Sequence, residues 1–206
     1  MIVVFFHFGA IREFSATKAA LLSAGDGKEV SDLLVVFENH IIIFSDKHIH
    51  FEKTEPVEIG WSRWFRKAVL KSAQQVWGAE RWIRQFPNRL FLDKQCKTPF
   101  PIQVPDPAKA TFHRVVVAHD ASRFCREYFG GSGSLMLDSG VVGEQQHSRH
   151  PFTIGRLNQD RGYVHVFDDT SLDVVMNYLD TVSDFRRLSN EEGTTADQRH
   201  ARSCGW

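Results

Sequence analysis

Three polar residues lie at the ends of two apolar segments, where they could do chemistry together. Asp32 precedes LLVVF, and Ser45 and Lys47 close the segment HIIIFSDK. If the two segments pair as an antiparallel hairpin, Ser45 and Lys47 share one face at its open end and Asp46 points away. Metal-dependent hydrolysis of a phosphodiester bond needs one or two acidic oxygens that hold Mg²⁺, and a cation that stabilises the developing charge or helps to position the attacking water. The spacing therefore predicts a site for such chemistry at Asp32, Ser45 and Lys47.

A second polar group overlaps the first. Asp46, His48 and His50 alternate in SDKHIHFE, so a strand that continued this far would place them on one face, opposite Lys47. Carboxylate and imidazole groups are common ligands of transition metals. An H-x-H metal site is therefore an alternative hypothesis, beside the simpler interpretation of exposed histidines at a hairpin edge.

A sheet and its helices must position these residues. The segments DLLVVF and HIIIFS are apolar on both faces, which is typical of strands in a sheet that is covered on both sides. The strongest helical pattern runs over residues 61–86 and is amphipathic. The alternation of strands and helices predicts an α/β or α+β fold, with a central mixed sheet flanked by helices.

The other predicted elements complete a single domain over residues 1–188, with a core over 28–120 and a C-terminal strand–helix lobe over 112–188. They are a short helix over 14–23, a proline-rich loop over 97–110, strand then helix over 112–131, a glycine-rich surface loop over 130–155, strand then helix over 163–188, and a disordered tail over 189–206. The expected helix caps are Asp120 or Ser122, and then Asp169, Thr170 or Ser171.

Cations follow the outer face of the long helix. They are Arg63, Arg66, Lys67 and Lys71. Such a row can follow the phosphates of a nucleic acid, or it can be the solvated side of an amphipathic helix. The tryptophans of the same segment are expected in the core rather than as platforms for bases; they are Trp61, Trp64, Trp77 and Trp82.

Composition sets the wider limits. Lysine plus arginine and aspartate plus glutamate number 25 each, so any attraction to nucleic acid must come from a local patch. The 3 cysteines show no pairing or metal-ligand spacing, which favours a reducing compartment, with the cytoplasm as the default. The opening MIVVFFHF is too short to span a bilayer, and no membrane partner is expected.

The segments DLLVVFENHIIIFSDK and WSRWFRKAVLKSAQQVWGAERWI, followed by HRVVVA, resemble the restriction endonuclease-like superfamily, PD-(D/E)XK. Its motif is an aspartate, a strand turn and (Asp/Glu)-x-Lys on the next strand, and the match here is Asp32 followed by SDK. The likeness is to bacterial nuclease-like proteins near the Mrr and nuclease-related branches, whose next helix carries a glutamine close to the active centre. Gln75, with Gln74 as the weaker alternative, takes that place. The resemblance covers roughly residues 28 to 120.

The resemblance implies a Mg²⁺-dependent nuclease with a central mixed sheet, acting on nucleic acid and on DNA in particular. Asp32 would hold the metal, and Lys47 would stabilise the transition state or orient water. Gln75 would position water or phosphate, and Ser45 would complete the strand motif.

Two departures from the superfamily pattern keep an alternative open. Ser45 stands at the usual acidic position, and a hydroxyl is a far weaker metal ligand than a carboxylate. For the glutamate of the first helix the sequence offers Glu13 or Glu29, and Glu29 would reach the metal from a loop. The alternative is a catalytically inactive module of the same fold that binds nucleic acid or a protein partner.

Overall fold

The computed structural model describes residues 21–22, 29–93 and 95–178. The strands are β1 Leu21–Leu22, β2 Glu29–Ser31, β3 Leu33–Phe37, β4 His40–His48, β5 Thr111–His119, β6 Met136–Val142, β7 Thr153–Arg156 and β8 Val164–Phe167. The helices are α1 Val57–Trp64, α2 Lys71–Gln85, α3 Ser122–Phe129, α4 Gly143–Arg149 and α5 Asp169–Tyr178, and a π-helical stretch, Phe65–Leu70, joins α1 to α2. The predicted tail over 189–206 lies outside the described residues, as does Glu13.

The central sheet has the strand order β3-β4-β5-β8. β3 and β4 form the predicted antiparallel hairpin, with Val35 opposite Ile42. β5 then pairs in parallel with β4, and β8 pairs in parallel with β5. Two further sheets have two strands each, β1 with β2 and β6 with β7. The protein is therefore mixed α/β with a mixed central sheet, which confirms the predicted fold class.

Apolar side chains cover both faces of the central sheet, because successive residues of a strand point to opposite sides. Ile41 and Ile43 of β4 belong to the larger core cluster, which includes the inner faces of α1, the π-helical stretch and α2. Ile42 belongs to a smaller cluster, against which Leu172 and Val175 of α5 pack. Helices thus pack on both sides of the sheet, as the two-sided apolar strands predicted.

The long helix forms where its pattern predicts it, although it begins earlier, at Val57. Its buried residues recur at intervals of one helical turn: Trp61, Trp64, Phe65, Ala68, Val69, Ala73, Val76 and Ile83. The backbone stays right-handed helical through both ends of the π-helical stretch, so the segment is one continuous rod. This rod crosses β4 and β5 and covers one face of the sheet.

The predicted surface loop over 130–155 is wrong, since this segment folds into β6, α4 and β7. His147 of α4 is fully buried and stacks on Phe65 of the long helix, with 4.8 Å between ring centroids. The indole N–H of Trp61 donates to the His147 carbonyl at 2.6 Å. Gly155 allows the close approach of β6, because a Cβ there would clash with the Val141 carbonyl oxygen. Tertiary packing holds a segment whose composition is typical of a loop.

Three smaller predictions need correction. Leu21 and Leu22 form a strand, although they fell within the helix predicted over 14–23; the other residues of that prediction up to 20, and residue 23, lie outside the described ones. β4 ends at His48, so the strand does not continue to His50. Ala121 precedes α3 without a side-chain cap.

The cap of α5 lies one residue before the predicted positions. Asp168 accepts hydrogen bonds from the backbone N–H groups of Thr170 at 2.8 Å and Ser171 at 2.9 Å. Asp168 is 1% exposed and its second carboxylate oxygen accepts from Leu135 N–H at 2.7 Å. One aspartate therefore starts the helix and ties it to the chain before β6.

Among the described residues, no helix is both long enough and apolar enough to cross a membrane.

Candidate functional site

The side of β4 that faces the long helix carries one polar pair in an otherwise apolar surface. The Ser45 hydroxyl is fully buried and donates to Oε1 of Gln75 in α2 at 3.2 Å. Gln74, the weaker alternative for this position, is exposed on a different side of the helix. The structure thus brings together Ser45 and Gln75, two of the residues singled out in the sequence, although they are 30 positions apart.

Asp32 lies in the bend between β2 and β3, beside Ser45 on the neighbouring strand. Its backbone N–H donates to the Phe44 carbonyl at 3.2 Å, and its Oδ2 accepts from the backbone N–H of Asp46 at 2.8 Å. The carboxylate thus satisfies an N–H of β4 where the strand pairing stops. Its other oxygen, Oδ1, has no hydrogen bond within the described part of the chain.

Lys47 lies two residues beyond Ser45 on β4 and therefore shares its face. The side chain is half-buried and makes no hydrogen bond or ion pair with any residue that the structure describes. An unpaired ammonium at the end of a strand is available to a ligand anion. The predicted arrangement is present to this extent: Asp32, Ser45 and Lys47 all lie at the open end of the hairpin.

The donor set on this side suits Mg²⁺ only through Asp32. Proteins commonly hold Mg²⁺ by one or two carboxylates, and water and substrate phosphates fill the remaining positions. Glu29 begins β2, opposite Leu22, and its side chain is outside the described part. Over residues 29–93 and 95–178, no group of three histidine, cysteine or acidic side chains is arranged to hold a metal. Asp32 could thus contribute one ligand, with one of its oxygens already bound to Asp46 N–H.

The opposite side of β4 carries a charge bridge that was missed in the sequence. His119, at the end of β5, contacts two carboxylates: its Nε2 lies 2.8 Å from Oδ1 of Asp46, and its Nδ1 lies 2.5 Å from Oδ1 of Asp169. The hydrogen bond to Asp46 is the largest influence that raises the pKa of His119, with Asp169 adding to it, and the pKa reaches about 9. His119 is therefore an imidazolium at neutral pH and joins β4, β5 and α5.

A signal for this charge bridge was present in the sequence. Each of the three parallel strands ends in polar residues, in the segments SDK, AHD and FDD. Because parallel strands have their carboxyl ends at one edge of the sheet, a parallel arrangement of these strands places all three polar ends at that edge. Because SDK was assigned to the hairpin alone, its proximity to AHD and FDD was not predicted.

The alternative metal site at Asp46, His48 and His50 does not assemble as proposed. Asp46 binds His119, while His48 stacks on the His119 ring with 5.4 Å between centroids. His50 lies beyond the end of β4, with its Nδ1 2.8 Å from Oδ2 of Asp120. Asp46 and His48 thus both contact His119, whereas His50 contacts Asp120 and does not join them.

The basic face of the long helix is exposed as the pattern predicted. Its exposed cations are Arg63, Arg66, Lys67 and Lys71. None of them forms an ion pair with another described residue, and Arg66 Nε donates to the Ser62 carbonyl at 3.2 Å. Of the tryptophans, Trp61 and Trp64 are buried in the core as expected, whereas Trp77 and Trp82 are half-buried.

Comparison of the chain with protein-family models, with curated proteins and with solved structures finds no match.

Proposed function

We propose that the chain acts on nucleic acid at the open end of the β3–β4 hairpin, as a Mg²⁺-dependent hydrolase of phosphodiester bonds. The observation that carries the proposal is the unpaired Lys47 ammonium on the same strand face as the Ser45–Gln75 pair, with the Asp32 carboxylate on the adjoining strand. A cation can stabilise the charge that develops on the phosphate, a carboxylate can hold the metal ion, and an amide can orient the attacking water or a phosphate oxygen.

Each residue has a separate role in this proposal. Lys47 neutralises the charge that develops on the phosphoryl oxygens. Because Oε1 of Gln75 accepts from Ser45, its NH₂ group remains to donate to a phosphate oxygen or a water. Asp32 would hold Mg²⁺ through its Oδ1, and the ion when bound would supply Lewis-acid polarisation of the phosphate. Ser45 is a positioning residue, since its buried hydroxyl makes its side-chain hydrogen bond to Gln75.

A second candidate is a catalytically inactive module that binds nucleic acid. Two features favour it. The fully buried Ser45 stands where the superfamily motif has a metal-binding carboxylate, and the exposed cations of the long helix have no acidic partners among the described residues. Such a module would bind with an affinity that falls steeply with salt and would leave the strand intact.

One set of assays separates these candidates. Wild-type protein, Asp32→Asn and Lys47→Met are incubated with supercoiled and single-stranded DNA in Mg²⁺ or Mn²⁺, while calorimetry measures metal binding. The asparagine side chain of the first variant retains an oxygen for the Asp46 N–H, so this variant removes charge with little change of shape. We expect each variant to lose about 100-fold or more in cleavage rate, the usual cost of one electrostatic stabiliser, and Asp32→Asn to lose metal affinity.

Lys109→Met is the control for the removal of a lysine charge, because Lys109 is an exposed lysine in the loop before β5. It should cleave like the wild type. Undiminished cleavage by Lys47→Met would show that the catalytic assignment is wrong. Salt-sensitive binding with no cleavage in either metal would select the inactive module.

A further inference from the structure

A cavity of about 480 Å³ lies beside the long helix, between it, the start of α4 and the loop after β7. Its volume falls in the range of roughly 300–1,000 Å³ that small-molecule sites occupy. The side chains that matter to its chemistry are those of Gln74, Trp77, Glu144, Gln159, Asp160 and Arg161. The cavity combines an aromatic wall with amide and carboxylate groups.

The wall is formed by Trp77 and Arg161. The Trp77 indole N–H donates to the Gly162 carbonyl at 2.8 Å, which fixes the ring against the loop that follows β7. The Arg161 guanidinium lies 5.0 Å from the centre of the Trp77 ring. Flat heteroaromatic groups stack on both indole rings and guanidinium planes, so this wall suits a nucleobase.

The polar groups of the cavity suit the edge of a base better than a phosphate. The amide side chains of Gln74 and Gln159 have no hydrogen-bond partner in the described part of the chain, and an amide can pair in two directions with a base edge. Glu144 and Asp160 place carboxylates at the cavity, which repel a phosphate and accept from exocyclic amino groups. The carboxylates therefore disfavour a phosphate in the cavity and favour a ligand group that carries hydrogen-bond donors.

The cavity continues the cationic face of the long helix. Lys67, Lys71 and Gln74 are spaced by four and then three residues, so they follow one another along one side of the helix. Gln75, the next residue, bonds to Ser45 in the candidate site. A strand whose phosphates lie along Lys67 and Lys71 would therefore bring its bases to the cavity.

We propose that this cavity receives an unstacked base of a single-stranded nucleic acid, which stacks on the Trp77–Arg161 wall and pairs with the Gln74 and Gln159 amides. This inference rests on the proposed function, because it assumes that the chain acts on nucleic acid. It narrows the substrate class to single strands or unpaired regions, since a base within a duplex cannot leave its stack without cost.

Fluorescence anisotropy with two oligonucleotides tests the inference. One is a labelled single strand of about 12 nucleotides, within the size that such grooves bind. The other has the same backbone with abasic sites in place of the central bases, and so retains every phosphate. We expect the wild type to bind the base-bearing strand more tightly, and Trp77→Ala to weaken that binding by about 5- to 100-fold while binding of the abasic strand is unchanged.

Several variants make the test specific. Trp77→Phe keeps an aromatic wall and should retain most of the preference for bases. Trp82→Ala is the matched control, since Trp82 is another half-buried tryptophan of the same helix and does not line the cavity. Gln159→Ala, on the exposed loop, should reduce the preference without disturbing the fold, and it keeps the test valid if Trp77→Ala fails to fold. Lys71→Ala should weaken both strands alike, because it removes a phosphate contact.

Two outcomes would overturn the inference, and they differ from the failure of the proposed function. Equal wild-type affinity for the two strands, or an equal loss on both in Trp77→Ala, would show that no base enters the cavity. Absence of binding to either strand at low salt would overturn the proposed function as well.

Discussion

The two faces of β4 are held by contacts of different kinds. Toward the long helix, Ile41, Ile43 and Ser45 are each 0% exposed, and the contacts are apolar apart from one neutral hydrogen bond to Gln75. Toward α5, the apolar contacts end at Phe44, and Asp46 joins a bridge of charges through His119. Burial removes water from the first face, whereas the second stays partly wet, with the Asp46 side chain 55% exposed.

Because of this difference, the contacts on the two faces should respond differently to pH and to ionic strength. Dispersion and burial on the helix face depend on close packing and hardly change with pH. The charge bridge on the α5 face depends on the proton of His119 and on ionic strength. Substitutions at neighbouring positions of one strand should therefore have different costs and different pH profiles.

The largest effect is expected from Ile43→Ala. Ile43 is fully buried in the larger core cluster, so its truncation removes apolar contacts and leaves a cavity. We expect a loss of about 2–5 kcal/mol in the free energy of unfolding. Urea unfolding followed by tryptophan fluorescence measures it, and the loss should be the same at pH 6.5 and pH 9. A loss that varied with pH would contradict the division between the faces.

A smaller effect is expected from His119→Gln. Glutamine can replace one hydrogen bond of the imidazolium but not its charge. Because the side chains of Asp46 and Asp169 are 55% and 41% exposed, solvent screens part of the interaction, and we expect a loss of about 1–2 kcal/mol at neutral pH. The same urea titrations measure it.

The pH profile of His119→Gln sharpens this prediction. In the native state the pKa of His119 is raised from 6.5 to about 9, and the groups that face it are Asp46, Asp169 and the stacked His48. Its contribution to stability is therefore complete below pH 6.5 and is lost as the pH rises to about 9. The wild type should lose its advantage over the variant across this window, and parallel profiles would contradict the charge bridge.

Measurements above pH 6.5 also avoid the titration of His147, whose pKa is shifted in the opposite direction to that of His119. Burial lowers the pKa of His147, so its neutral form is favoured in the native state and its contribution is lost as the pH falls. His150→Gln is a suitable control, since His150 is an exposed histidine three residues after His147. This variant should show the same change in the free energy of unfolding between pH 6.5 and pH 9 as the wild type.

The smallest effect is expected from Ser45→Ala. The change removes one neutral hydrogen bond and leaves Oε1 of Gln75 without its partner, for a loss of about 1 kcal/mol at any pH. If Ser45 positions Gln75 in catalysis, the variant should also lower the cleavage rate without changing metal affinity. An unchanged rate in a protein with demonstrated cleavage would leave Ser45 as a core residue alone.

Local pattern predicted the elements best where one kind of contact dominates. The apolar runs of β3 and β4 and the 3.6-residue pattern of the long helix reflect burial, which is recorded directly in residue type. The fold class and the helices on both sides of the sheet followed from them. For the candidate site, the alternation of a strand placed Ser45 and Lys47 on one face.

Predictions failed where distant contacts outweigh local preference. The segment over 130–155 has the glycines and serines of a loop, yet it folds because α4 packs His147 against Phe65 and Trp61 of the long helix. The predicted helix caps were wrong for two reasons. Asp168 caps α5 and also accepts from the Leu135 N–H, and Asp120 accepts from the Phe51 N–H at 2.9 Å. Such contacts join residues more than 30 positions apart, and no local pattern records them.

The sequence by itself determined the hairpin, the long helix with its basic face, and the mixed α/β class, because residue types and their spacing fix which surfaces avoid water. Only the tertiary structure decided the order of the strands, which brings Asp46, His119 and Asp169 to one edge of the sheet. It also decided that Gln75 rather than Gln74 meets Ser45. Both outcomes depend on how strands and helices pack across the chain, and that packing is a property of the whole fold rather than of any one segment.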